Sequence, residues 1–378
     1  MTTVQIENKR ATVHGNPWHP SFRGVALVTR IELLRRRPSP KGYIFYGVIL
    51  ALILTLWIVV AANSGDGLSS VPLELLLVLV LGTGLLIGPS LSATSINGDS
   101  SEGVLAPLQM TRLTAGDLAF GKLLASWAVS IAALVTTTPL MVFAYGRSGW
   151  RLDELAIALG VILLLVLMAT AIGLAWSAIA ARAVASVSLA HLTTGALVLG
   201  TLLVFAFTAP LVSDTVTVTN REYDWAKATP EQQNDPTFDP ATLPCVDYTY
   251  EQSMFHSEQT AWLLLINPAV VIAESSPIIN PETFEEDGRA APGLFALIHT
   301  AVSGARMGPT EPQPYDACAG TFGDDEAWQE RQLAEATMTP APWPGLVLAT
   351  VLLAGSMTLV VRRLRVPYKK LRAGSRVA

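Results

Sequence analysis

The chain has 378 residues, 51% of them hydrophobic and only 15% charged, against roughly 25% charged in ordinary soluble domains. That deficit argues against a plain soluble globular protein and points to lipid as the surrounding solvent. The formal net charge of −5 leaves no basis for a nucleic-acid partner, and it conceals an asymmetry. Residues 214–343 carry 21 Asp and Glu against 5 Lys and Arg, a balance of −16, whereas the rest of the chain carries +11.

Residues 1–20 have no apolar period and read as a flexible tail. Their two histidines, His14 and His19, lack the further Cys or His that a metal site needs. From Ser21 to Arg37 the spacing of Phe22, Val25, Ala26, Ile31, Leu33 and Leu34 against Arg23, Arg30, Arg35 and Arg36 predicts an amphipathic helix ending at Pro38. Its basic side is expected to meet headgroups at the inner membrane face. Glu32 lies three and four residues before Arg35 and Arg36, the spacing of a local ion pair.

A membrane span needs about 20 mainly apolar residues. Six runs qualify, approximately Tyr43–Ala62, Pro72–Ile96, Leu118–Tyr145, Leu155–Ala180, Val184–Val212 and Trp343–Val361. Charged residues precede the first run, so it serves as the insertion signal and no cleaved signal peptide is expected. Eight basic residues before Tyr43 and seven after Val361 place both termini in the cytoplasm by the positive-inside rule, which requires an even number of spans. The second span carries Glu74 near its outer end. Its Gly84 and Gly88, four residues apart, suit close helix packing, either within one bundle or across a dimer. Trp150, between spans three and four, suits the interfacial aromatic belt, and His191 lies just inside span five, where interfacial solvation explains it.

The acidic insert, 214–342, then falls outside. Its Asp214–Gln259 and Met307–Pro342 parts read as loops, while Ala261–Ala273 and Pro292–Val302 are apolar but too short to span. Two short helices dipping into the outer leaflet, or two core helices of an outer domain, fit equally. His256, Glu258 and His299 match no ligand motif and read as surface residues; no metal is expected. Cys245 and Cys318 are the only cysteines. An oxidising outer compartment would let them pair, contributing roughly 4 kcal/mol; the alternative is two free thiols.

Between spans two and three, Gly116–Lys122 fits the first seven positions of the phosphate-binding loop, but Leu123 stands where a hydroxyl must reach Mg²⁺, and the strand–loop–helix context is missing. Thr114 and Asp117 have the spacing of a helix N-cap, and Lys122 is expected to snorkel to the headgroups. The stretch Asn97–Leu113 sets Asp99, Glu102 and Arg112 around Val104, Leu105 and Leu108, which share a helical face. It is a short charged element with an apolar side, tethered at both ends by spans.

The residues Ser95-Ile96-Asn97-Gly98-Asp99, Glu102-Gly103-Val104-Leu105, Leu108-Gln109-Met110-Thr111 and Asp117 to Lys122 resemble the signature between spans two and three of ABC-2-type (type V) exporter permeases. Departures are Val104 where the family often has Thr, Ser101 directly before Glu102 where basic residues are usual nearby, Pro107 inside the helix, and Arg112 at the usual Pro position. The resemblance covers most of the chain except Asp214–Gln259 and Met307–Pro342; together with the run lengths and charges above, it gives an all-α polytopic membrane protein with six transmembrane helices, cytoplasmic termini and an acidic extracytoplasmic insert between helices five and six. It divides the chain into 1–42 (tail and interface helix), 43–213 (helices one to five, with a coupling segment 97–117), 214–342 (insert), 343–361 (helix six) and 362–378 (basic tail).

It also implies the permease subunit of an exporter in the cell membrane, itself no enzyme and holding no cofactor, with ATP and Mg²⁺ on a separate ATPase subunit. A second permease copy or paralogue would complete the path; the few ionisable groups in the spans favour an amphiphilic or lipid-like cargo over a highly charged polymer. Asp99, Glu102, Gly103, Val104, Leu105, Leu108 and Arg112 would meet the ATPase, assisted by Phe22, Arg30, Glu32, Arg35 and Arg36. The rival reading is a non-transporting scaffold or sensor whose acidic outer part binds a partner. No metalloprotease or serine-hydrolase motif points to a membrane enzyme.

Overall fold

The computed structural model describes residues 19–36, 40–63, 68–109, 111–277, 293–312, 314–320 and 325–365. The tail containing His14, Met110 and the basic residues beyond Arg365 lie outside them. The chain is mainly helical, and six helices are long and apolar enough to cross a membrane: Gly42–Asn63, Val71–Ser101, Ala115–Val135, Leu152–Ile179, Ala183–Thr208 and Trp343–Leu364. It is a multi-pass membrane protein by this architecture.

Helix α1 (Phe22–Arg35) precedes α2 (Pro40–Asn63), the first span. The second, α3 (Val71–Ser92), continues after a turn at Ala93–Thr94 into α4 (Ser95–Ser101), and α5 (Leu105–Gln109) follows. The third span is broken. Helix α6 (Ala115–Val135) stops at Thr136, and α7 (Thr138–Ser148) resumes with Pro139 in its first turn, where a missing N–H costs nothing. The carbonyls released at the break are met locally: the hydroxyls of Thr136, Thr137 and Thr138 donate to Ala133, Leu134 and Val135 at 2.6–2.7 Å. Three consecutive threonines thus satisfy the carbonyls freed where the chain bends after Val135.

Helix α8 (Leu152–Ile179) forms the centre of the bundle against α3, α6 and α16 (Trp343–Leu364). Lipid tails are as apolar as leucine, so close backbone approach has to supply the association. A Cβ on Gly84 would lie 2.4 Å from Val166, and one on Gly88 2.6 Å from the Thr170 hydroxyl. Both glycines therefore serve packing of α3 on α8 within one chain. Leu73, Leu77, Leu165 and Val166 fill the seam.

The fifth span contains α9 (Ala183–Gly195), a π-helical turn at Ala196–Gly200, and α10 (Thr201–Thr208). Wide turns expose a carbonyl, and Asn267 uses it: its side-chain amide donates to the Val198 carbonyl at 2.7 Å and the Thr201 hydroxyl at 2.9 Å.

The all-α expectation and the loop reading of Asp214–Gln259 are corrected by a ribbon. Strand β1 (Ser213–Tyr223) pairs antiparallel with β2 (Cys245–Phe255), from Ser213 opposite Phe255 to Tyr223 opposite Cys245. The alternating Thr and Val of 215–219 and the aromatic pair Tyr248 and Tyr250 have the β preference that explains it. A 21-residue connection with α11 (Pro230–Asn234) joins the strands. At their far end Arg221 exchanges main-chain hydrogen bonds with Tyr315 and Ala317, and Cys245 is disulfide-bonded to Cys318.

The two short apolar stretches enter the main core. They supply α12 (Trp262–Leu265), α13 (Pro268–Glu274) and α14 (Leu294–Met307), followed by α15 (Asp325–Thr337). Val271, Ile272 and Phe295 are buried with Leu73 and Leu165, and α13 packs against both α8 and α16. Trp150 is consequently covered by Phe295 rather than set in an interfacial belt. The bundle has two poles. A basal pole gathers α1, α4, α5, the α8–α9 turn and the end of α16; a ribbon pole gathers α7, the ribbon, α12 to α15 and the start of α16.

Candidate functional site

The basal pole is organised around Lys122. Helix α6 opens with a capping box, in which the Asp117 N–H donates to the Thr114 hydroxyl and the Thr114 N–H to the Asp117 carboxylate. One turn on, Lys122 is completely buried. Its ammonium sits 2.5 Å from Glu32 Oε1 on α1 and 2.5 Å from Asp99 Oδ2 on α4, and donates to the Ser95 carbonyl at 3.1 Å. Snorkelling is thus replaced by full internal pairing. The energetic reason is that a buried ammonium without a counter-ion is prohibitive, whereas two carboxylates and a carbonyl satisfy its three protons.

The two carboxylates extend the network. Arg35 donates to Asp99 at 2.9 Å and lies 3.3 Å from Glu102, while Arg36 lies 3.4 Å from Glu32 and donates to the Leu91 carbonyl at 2.6 Å and the Ser95 hydroxyl at 2.9 Å. Three cations therefore face three anions from α1, α4, the turn after α4, and α6. The hydrogen bond to Asp99 raises the Arg35 pKa, and burial lowers that of Arg36; neither change brings a guanidinium near neutral-pH titration. Glu32, read in sequence as a partner of Arg35 and Arg36 only, is 5% exposed and shared with Lys122.

A second pin lies at the start of α1. The Ser21 main-chain N–H donates to Asp117 at 2.5 Å, and Gly24 packs where a Cβ would stand 2.4 Å from that carboxylate's carbon. Gly121 gives the same close approach on the other side, 2.5 Å from Val28 Cβ. Helix α1 therefore turns Gly24, Val28 and Glu32 inward and leaves Phe22, Leu27 and Leu34 exposed beside Arg23 and Arg30. The exposed face mixes apolar and basic residues, unlike the segregated faces expected from the sequence.

The segment 97–113 is held at every turn. Asn97 donates to Ser186 at 2.8 Å, and Ser177 accepts from the N–H groups of Ile96 and Asn97 at 2.9 and 3.2 Å, fastening α4 to the α8–α9 turn. Helix α4 ends in a Schellman arrangement: Gly103 has φ 70°, its N–H donates to Ser100, and the Val104 N–H donates to Asp99. Pro107 then falls in the first turn of α5, where no helical bond is lost. Gln109 donates to the Leu364 carbonyl at 3.1 Å.

Of the residues that the sequence pattern singled out, Asp99 and Leu105 point into the protein. Leu105 joins Val28, Leu118 and Leu364 in a second apolar cluster. Val104 and Leu108 are half-buried, while Glu102, Gly103 and Arg112 are exposed. The exposed rim is thus Ser100–Gly103, Pro107 and Thr111–Arg112. Lys122, Asp117 and Ser21 were missed as members of this site, although an ionisable residue opening an apolar span is a signal for a buried partner. His191 touches Ser90 at 3.0 Å on the same pole.

The ribbon pole carries its own buried carboxylates. Glu74 accepts from the Phe295 N–H at 2.8 Å, and Glu274 joins His299 Nδ1 at 2.8 Å and the Ala341 N–H at 2.7 Å. His299 is therefore a core residue, not a surface one; His256 lies beside Glu258 at 2.9 Å on the exterior. Among the described residues no group of three or more His, Cys, Asp or Glu is placed to hold a metal ion.

No protein-family model matches the chain, and no curated protein matches its sequence.

Proposed function

We propose that this chain is the membrane subunit of an ATP-driven exporter of the ABC-2 type, working with a separate cytoplasmic ATPase and a second permease copy or paralogue. On this reading the basal pole faces the cytoplasm, the ribbon pole faces outward, and both termini are inside. The observation that carries it is the complete burial of Lys122 between Glu32 and Asp99. That node makes α1, α4 and α6 one body, so a displacement applied at the rim of Glu102 and Arg112 moves a span and the helix lying beside it together.

The chemistry of ATP hydrolysis would belong to the ATPase. This chain's part is mechanical: the rim receives the push, the charged node keeps α1 and α4 from sliding on α6, and α6 passes the motion to α3 and α8. The third span's threonine-lined break offers a place for that motion to be absorbed. The spans bring few ionisable groups to the bundle exterior, which favours an amphiphilic or lipid-like cargo.

The test is copurification with candidate ATPases from membranes expressing the chain, followed by ATPase assays of the reconstituted complex. Glu102→Ala combined with Arg112→Glu is expected to lower complex recovery and stimulated ATPase activity by about tenfold, the effect of roughly 1.4 kcal/mol, with thermal stability unchanged. Full complex formation by that variant would remove the rim from the coupling role. Absence of any associated ATPase, with partner capture lost on deletion of 214–259, would favour the scaffold reading.

A further inference from the structure

Among the described residues the ribbon leaves a long main-chain edge without a partner. Arg221 directs its own N–H and C=O away from β2, to Tyr315 and Ala317. In an antiparallel pair such residues alternate with those bonded across the ladder. Asp247, opposite Arg221, and Thr249, Glu251 and Ser253 in step with it, therefore turn their N–H and C=O groups away from β1. The 3.1 Å contact between the Thr219 and Thr249 hydroxyls is what a close, non-hydrogen-bonded pair of this register produces. All four β2 residues are exposed, and no main-chain hydrogen bond from the described residues reaches them.

An open edge of this length is a template for another strand. Its charge decides which strand. Asp247, which already lies 3.9 Å from the exposed Arg221 of β1, and Glu251, whose register partner is the uncharged Thr217, stand on one face of the edge four residues apart, within a region whose balance is −16. A second copy of the chain, pairing β2 with β2 antiparallel about Thr249, would put Asp247 opposite Glu251 twice, and like charges directly opposite are destabilising. The β1 edge is different: it is interrupted at Arg221, and its remaining outward positions, Thr215, Thr217 and Thr219, are uncharged.

We propose that the free edge of β2 receives an extended, basic polypeptide segment of a partner protein as an added strand. Main-chain hydrogen bonds to Thr249, Glu251 and Ser253 provide the attachment, and Lys or Arg at alternate positions meets Asp247 and Glu251, the mode known as β-augmentation. The assignment is independent of transport and rests on the ribbon alone.

The test uses the full chain, disulfide intact, in nanodiscs of zwitterionic lipid, with a fluorescent peptide of alternating Lys and Val as probe and one of alternating Glu and Val as control. The lysine peptide is expected to bind and the glutamate peptide not to bind. Asp247→Asn with Glu251→Gln should weaken binding about tenfold. Thr249→Pro removes one outward donor while sparing both the charges and the ladder to β1, and should weaken binding at least as much. Failure of the lysine peptide to bind, or binding to Thr249→Pro equal to wild type, overturns the proposal, the second result meaning charge attraction without strand addition. Amide exchange through 213–255 as slow as in wild type, measured without peptide, shows that each variant kept the ribbon.

Discussion

At the scale of single residues, Lys122 holds the basal pole together. Removing one partner of a buried, hydrogen-bonded ion pair leaves the other charge uncompensated, at a cost of about 3–5 kcal/mol. Lys122→Met would strand Glu32 and Asp99, which have only Arg35 and Arg36 left to face. We expect its melting temperature in detergent to fall well below wild type, and Glu32→Gln with Lys122→Met to recover part of the loss because one orphaned carboxylate is gone. Equal stability of Lys122→Met and wild type would show that the node contributes nothing to holding α1. The exposed Arg151–Asp153 pair is the contrasting case, in water and worth little; Arg151→Ala should change stability by less than about 1 kcal/mol.

At the scale of elements, two joints set the geometry of the poles. Gly103 holds the left-handed turn between α4 and α5, a conformation that costs a Cβ-bearing residue about 1 kcal/mol or more. Gly103→Val should therefore lower stability by roughly that amount and displace α5. Faster proteolysis at 104–112 would report it, with protection of α6 unchanged. The ribbon depends on its staple, since an isolated two-stranded hairpin is marginal in water. Breaking the 73-residue loop with Cys245→Ser and Cys318→Ser removes about 4 kcal/mol on the chain-entropy model. Amide exchange should then rise through 213–255 and stay low in α3 and α8; exchange rising equally in both would make the ribbon part of the bundle's cooperative unit.

At the scale of the whole molecule, apolar run length revealed the spans, because a membrane segment announces itself locally. The helix N-cap at Thr114 and Asp117 and the packing glycines of α3 were legible for the same reason: each depends on neighbours a few residues away. What escaped was nonlocal. Lys122 meets Glu32 across 90 residues and Asp99 across 23, and no spacing rule joins them. His299 looked like a surface residue because its partner Glu274 lies on the far side of a polar segment. The ribbon was readable in principle from the Thr–Val alternation, but the acidic, proline-rich composition around it dominated the reading. The break in the third span was marked by Thr136, Thr137, Thr138 and Pro139, which a run-length criterion ignores.

Docking of an ATPase on the rim beside the Lys122 node, as proposed, is tested most directly by a single introduced thiol. Both native cysteines are tied in the disulfide, so Glu102→Cys supplies the only free one, and a short thiol-to-amine cross-linker can then be applied to membranes expressing the complex. A cross-link from Cys at 102 to an ATP-binding protein is expected, with a yield that changes when a nonhydrolysable ATP analogue is added, and none from Thr215→Cys on the ribbon. Cross-linking to an ATPase from position 215 but not from 102, or to no ATP-binding protein at all, would contradict it.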